Sequence, residues 1–202
     1  MFFNKRIRIM SEEIRIIFLQ GADVVLRPIS KTDAPLLARW INDPEVRQYL
    51  NAYLPITESE EEEWITNLRK RKPHDIILMI VVDEKPIGTI GIHRISWQNR
   101  TGTTGTVIGE KSYQSKGYGT KAKMLLLDYM FNTLNLRKVC SSILAFNERS
   151  YNYARRCGYH EEGRLRQHHF HDGQYHDEIL LAVFRENWLP LWEAFKEEHN
   201  ID

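Results

Sequence analysis

A polar, glycine-bearing loop, residues 110–119 (EKSYQSKGYG), separates a β-branched stretch ending at Val107, Ile108 and Gly109 from a strongly periodic helical stretch over residues 120–134. A strand that passes into a helix in this way leaves the first helical amides without partners inside the helix. Glycine there lets the backbone come close to whatever those amides bind. Gln114, Gly117 and Gly119 give the loop the form Q-x-x-G-x-G. Its backbone runs from Ser115 through Lys116, Gly117, Tyr118 and Gly119 to Thr120 and lies at the positive end of the helix dipole. That suits a phosphate, with Lys116 or Lys121 adding charge. A formal net charge of +1 offers no global field, so an anionic ligand must be held by local arrangement of this kind, and nucleic-acid binding is not expected.

Two other readings of the loop are open. Residues 117–122 (GYGTKA) also fit the dinucleotide pattern G-x-G-x-x-A. In that pattern, however, the first glycine directly follows the strand, whereas residues 110–116 intervene here, and the next strand (KVCSSILAF) has no acid to hold a ribose. The other reading is a helix-entry turn that binds nothing.

The order of elements sets the architecture. Residues 23–29 (DVVLRPI) read as a strand. A helix capped within residues 30–33 follows, turns Leu36, Leu37, Trp40 and Ile41 inward, and ends at Asp43 and Pro44. Residues 58–71 read as a second helix, and its run of glutamates as a solvated face rather than a metal or partner site. Residues 76–82 and 87–95 make a hairpin around a DEKP turn, and a third strand covers residues 103–109. Beyond the loop come the helix at 120–134 with Ala122, Leu126 and Met130 on one face, a strand at 136–146, and a short helix at 147–157 ended by Gly158. Strands at 163–170 and 175–184 turn at Asp172 and Gly173, and the tail from Glu186 is helical. This order predicts an α+β fold with a mixed central sheet of six or seven strands flanked by helices, not a doubly wound sheet. The chain has 202 residues, 42% hydrophobic and 27% charged, which fits one domain that folds unaided. Residues 1–20 stand apart as an extension of unreadable role, 21–188 as the domain and 189–202 as a helical tail.

Four segments carry a resemblance: VLRPIS…DAPLLARWINDPEVRQYL, IGEKSYQSKGYGTKA, LRKVCSSILAFNERSYNYARRCGY and EEGRLRQHHFHDGQYHDEILLAVFRENW. In this order they resemble the GNAT superfamily of N-acetyltransferases, and within it the branch that acetylates the terminal alanine of ribosomal proteins. The resemblance covers residues 23–188 and implies a single GNAT-type domain that uses acetyl-CoA. It implies that the strand ending at Val107, Ile108 and Gly109 splays from the strand at 136–146, with the pantetheine arm in the gap and the pyrophosphate on residues 114–120. Asn147 matches the residue that contacts the cofactor arm, and Ser150 the serine near the thioester sulfur. Ala154 stands where many relatives carry a tyrosine acid, with Tyr151 and Tyr153 close in sequence. Counted from Asn147, the glutamate base of the alanine acetylases falls on His169.

The chemistry follows from the reaction so implied. The attacking nitrogen must be neutral, although an α-amine has a pKa of about 7.7–8.0 and a lysine-like amine about 10.4. A base or a dry pocket must act on it, a backbone N–H near Ile108 must meet the charge on the thioester oxygen, and Ser150 must meet the leaving thiolate. A neutral His169 can accept the proton. His168, His169, His171 and His176 suggest a metal cluster, but strand alternation sets His168 on the face opposite His169 and His171, so no metal is expected. Cys140 and Cys157 are the only cysteines, lie in apolar elements and lack an activating histidine in the motif. Direct attack in a ternary complex is therefore expected, rather than an acetyl-cysteine. The expected acceptor is a protein N-terminal amine or a small-molecule amine such as a polyamine, amino sugar or aminoglycoside; the alternative is a non-catalytic acyl-CoA sensor. No export signal or membrane span is read, so a cytoplasmic enzyme is expected, and whether it is a homodimer stays open.

Overall fold

A computed structural model describes residues 16–71 and 74–201. In chain order these form β1 (Leu19–Gly21), β2 (Val24–Pro28), α1 (Ala34–Asn42), α2 (Pro44–Arg47), α3 (Glu58–Arg71), β3 (Ile76–Val82), β4 (Lys85–Ser96) and β5 (Thr101–Ile108). There follow α4 (Tyr118–Asp128), β6 (Lys138–Leu144), α5 (Glu148–Arg156), β7 (His160–His171), β8 (Gln174–Phe184) and α6 (Arg185–His199). Among the described residues the strands make one mixed sheet in the order β1-β2-β3-β4-β5-β6-β8-β7. It exceeds the expected strand number by β1, which pairs antiparallel with β2 from Leu19↔Leu26 to Gly21↔Val24. Part of the expected extension is thus sheet; residues 16–18 lead into it, and residues 1–15 lie outside the described residues.

The apolar run in β3 follows from covering both faces of the sheet. Leu78, Ile80 and Val82 enter the larger core with α4 and α6, while Met79 enters a smaller one with Leu37 and Trp40 of α1 and Ile65 of α3. The two-residue turns at Asp83–Glu84 and Asp172–Gly173 have positive φ at both positions, the geometry that closes a right-twisted hairpin. The expected helix at 120–134 starts two residues earlier and ends in a π-turn, Tyr129–Thr133. Trp188, Trp192 and Phe195 of α6 are buried, with successive rings stacked at 5.4 and 5.7 Å, so the helical tail is seated in the core. No helix among the described residues is long and apolar enough to cross a membrane.

Candidate active site

Among the described residues β5 and β6 are the one parallel pair, and they pair only over Thr101↔Lys138, Gly102↔Val139 and Thr103↔Cys140. β5 continues against β4 as far as Ile108, and β6 continues against β8 as far as Leu144, so each keeps its outer partner while the inner edges part. Backbone groups on those edges need partners that the sheet does not supply. Gly109 N–H bonds Ile87 C=O on the β4 side at 2.9 Å, and the two-residue period then turns the Ile108 N–H toward the gap. The parting of these strands agrees with the expectation from sequence.

The open end of the gap meets the start of α4. The first bond of that helix runs from Lys121 N–H to Gly117 C=O at 3.0 Å, which leaves the amides of Tyr118, Gly119 and Thr120 without partners inside the helix. Gly117 caps it at φ +87°, a left-handed conformation that favours glycine. Gln114 ties the parts together: its side-chain N–H₂ donates to Ile108 C=O at 2.9 Å, and its carbonyl accepts from Arg149 of α5 at 2.7 Å.

A cavity of about 1020 Å³ joins this region to α1 and α3 across β4 and β5. Val107, Ile108, Gln114 and Ser115 line it, as do Gly117, Tyr118, Gly119 and Thr120 at the head of α4 and Asn147, Ser150 and His169 beyond. Gly109 and Lys116 are not among the residues that line it. A Cβ on Gly109 would lie 2.1 Å from Trp40 Cδ2, so this glycine makes room for the indole, and the Lys116 ammonium lies 5.8 Å from the centre of the Tyr113 ring. Asn147 caps α5, its Oδ1 accepting from Ser150 N–H at 3.0 Å. Tyr153 lines the cavity with its hydroxyl 2.9 Å from Thr106 Oγ1, and burial raises its pKa well above the usual tyrosine range. Ala154 is buried.

The histidines divide differently from the expected alternation. The β7–β8 register passes from Leu165↔Glu178 to His169↔His176, so residues 166–168 face only Asp177, with Gln167 at φ +50°. This bulge brings His168 and His169 to the same carboxylate, Glu178, at 3.7 and 3.3 Å, and correctly paired strands would not have done so. Donor atoms of the three lie within 4.8 Å of one another. His171 and His176 instead flank the ring of Phe146.

Other residues of the cavity wall carried no motif. Lys123 is 2% exposed on the apolar side of α4, its ammonium 5.6 and 5.7 Å from the ring centres of Tyr153 and Tyr159, and burial lowers its pKa to about 7. Glu61 is 4% exposed, so the reading of a solvated glutamate face holds for Glu58, Glu60, Glu62 and Glu63 and fails for Glu61. Glu61 shares its helix stripe with Trp64, Ile65 and Leu68, at spacings of three, four and seven, and that pattern is the sequence signal for its burial. Burial raises the pKa of both cysteines, that of Cys157 to about 12, which keeps these thiols protonated and unreactive.

The sequence matches the family described as Acetyltransferase (GNAT) domain over residues 23–160. It is 25% identical over 171 residues to spermidine N(1)-acetyltransferase of Escherichia coli strain K12, covering 82% of this chain and 88% of that one. It is 30% identical over 86 residues to the ribosomal protein uS5-alanine N-acetyltransferase of the same organism, covering 43% and 44%. The fold superposes on the crystal structure of spermidine N-acetyltransferase from Vibrio cholerae in complex with CoA and spermine with a TM-score of 0.77, at 22% identity and with 84% and 99% of the two chains covered.

Proposed function

The chain belongs to the GNAT acetyltransferase family and is an N-acetyltransferase that uses acetyl-CoA, and on that premise we propose that the cavity joins acetyl-CoA and a primary amine in one ternary complex, where the amine attacks the thioester directly. The observation that carries this reading is the gap between β5 and β6 ending on the free amides of α4. An extended amide-bearing arm fits the unpaired strand edges, and a pyrophosphate fits the amides of Tyr118, Gly119 and Thr120, with Arg149 and Gln114 at its flank. Val107, Ile108, Ser115 and Asn147 complete the cofactor wall.

Acetyl-CoA supplies the acyl group, already activated as a thioester. The Ile108 N–H faces the place where the carbonyl oxygen gathers charge. The Ser150 hydroxyl donates a hydrogen bond to the departing sulfur. His169, whose Nε2 lies 3.3 Å from the Glu178 carboxylate, takes the proton of the attacking nitrogen without a metal ion. Protonated cysteines, Cys157 buried and Cys140 partly so, argue against an acetyl-cysteine and for direct attack. The acceptor, a small cationic amine or a protein N-terminus, enters from the side of α1 and α3. Two reduced cysteines and the absence of a disulfide fit a cytoplasmic setting.

Ala154, where the resemblance sets a tyrosine acid, favours one second reading, an acyl-CoA sensor without turnover. Thiol release from acetyl-CoA, measured against peptides with different first residues, spermidine, amino sugars and aminoglycosides, separates the two. Release with at least one acceptor is expected. CoA binding with no release from any of them assigns the sensor.

A further inference from the structure

The two ends of the cavity differ in charge. Lys123, Arg149 and Arg156 line the end formed by α4 and α5, whereas among the described residues α1, α2, α3, β3 and β4 contribute no lysine or arginine to the lining, and α3 contributes Glu60 and Glu61. These two neighbours have different tasks. Glu60 is exposed, and its Oε2 accepts from Thr57 N–H and Thr57 Oγ1, both at 2.7 Å, closing a capping box at the start of α3. Glu61 is 4% exposed, and its Oε2 is buried with no hydrogen-bond partner among the described residues.

A buried carboxylate without a partner is costly, and a protein holds one where a ligand completes it. The surroundings of Glu61 suit a cation. The partly exposed Trp64 lines the same wall and suits a cation by its aromatic ring, while Trp40 is buried and its indole N–H donates to Glu110 at 3.0 Å. His93 is the titratable group that β4 adds to this end of the cavity. Burial first, and Glu60 second, raise the Glu61 pKa, as expected of a carboxyl that lacks its counterion.

We propose that Glu61 anchors a second, non-reacting ammonium of the acceptor, so that the site prefers diamines and polyamines to monoamines. This deepens the acetyl-transfer reading and rests on it, yet anchoring can be measured without turnover. Spermidine is titrated calorimetrically into the protein with CoA bound, as wild type, Glu61→Gln and Glu60→Gln, and thiol release is measured with spermidine and with n-butylamine. Loss of a charge-assisted contact in Glu61→Gln is expected to raise the Kd for spermidine about 10–100-fold, while kcat/KM for n-butylamine and the behaviour of Glu60→Gln stay within about twofold of wild type. Equal loss with both amines, no loss with either, the same loss in Glu60→Gln, or no spermidine binding by the wild type overturns the proposal. If wild type binds spermidine, Glu61→Gln does not, and no thiol is released with these amines or with the peptides, amino sugars and aminoglycosides, the anchor stands and the acetyl-transfer reading fails. Equal turnover of spermidine by wild type and Glu61→Gln sinks the anchor alone.

Discussion

Replacing Gly119 by valine should remove CoA binding while sparing the fold. A Cβ at Gly119 would lie 3.8 Å from Tyr153 and 3.9 Å from Ile108, ordinary contact distances, and Gly119 lies within α4, where glycine is a poor helix former. The free protein should therefore accept the change with little loss of stability. The added side chain nonetheless occupies the mouth of the β5–β6 gap, beside the amides assigned to the pyrophosphate. Losing the contribution of a helix terminus in a partly buried site, up to about 2 kcal/mol, corresponds to a CoA affinity weaker by about 30-fold, and steric exclusion adds to it. Gly117→Val is the contrasting perturbation. Nothing lies within 4 Å of a Cβ there, but its φ of +87° strains any L side chain, at a cost of about 1–3 kcal/mol. For a chain of this size Tm should fall by about 2–4 °C per kcal/mol. Calorimetric titration with CoA and thermal melts of both variants provide the comparison. A folded Gly119→Val protein with undiminished CoA affinity would refute the placement of the cofactor.

Ser150→Ala should lower kcat by about 10²–10⁴-fold with little change in CoA affinity, because the Asn147 cap that fixes the start of α5 uses the Ser150 backbone N–H and not its hydroxyl. His169→Ala should lower kcat/KM by a factor in the same range of about 10²–10⁴ while His171→Ala, beside Phe146, should not, and wild-type activity should survive chelators; damage from chelators would make His168, His169 and Glu178 a metal site. Lys123→Met should stabilise the protein without CoA: with the folded pKa lowered to about 7, the unfolded chain binds more protons between pH 7 and 10.5, so wild-type stability rises with pH across that window. The advantage of the variant in urea titrations should therefore be largest below pH 7 and shrink toward pH 10.5.

Local signals made much of the fold legible. Asp172–Gly173 marks a turn by its own chemistry, and the glycines of the Q-x-x-G-x-G loop mark a helix start. What escaped depends on contacts distant in sequence. The resemblance sets Gly109 at the end of the splayed strand, and only the structure shows that a Cβ there would meet an indole from α1. The bulge at residues 166–168 carries no turn signature, and it changes which histidines meet. Lys123 and Glu61 occupy apolar stripes of their helices, a pattern that signals burial but not that the opposing surface is a cavity. β1 is too short for periodicity to reveal it.

The central claim is that one cavity holds both reactants and that the amine attacks without an acetylated intermediate. Initial rates of thiol release, measured over a matrix of acetyl-CoA and amine concentrations, test it directly. Double-reciprocal lines that intersect are the predicted result, and parallel lines, the pattern of a covalent acetyl-enzyme, would contradict it.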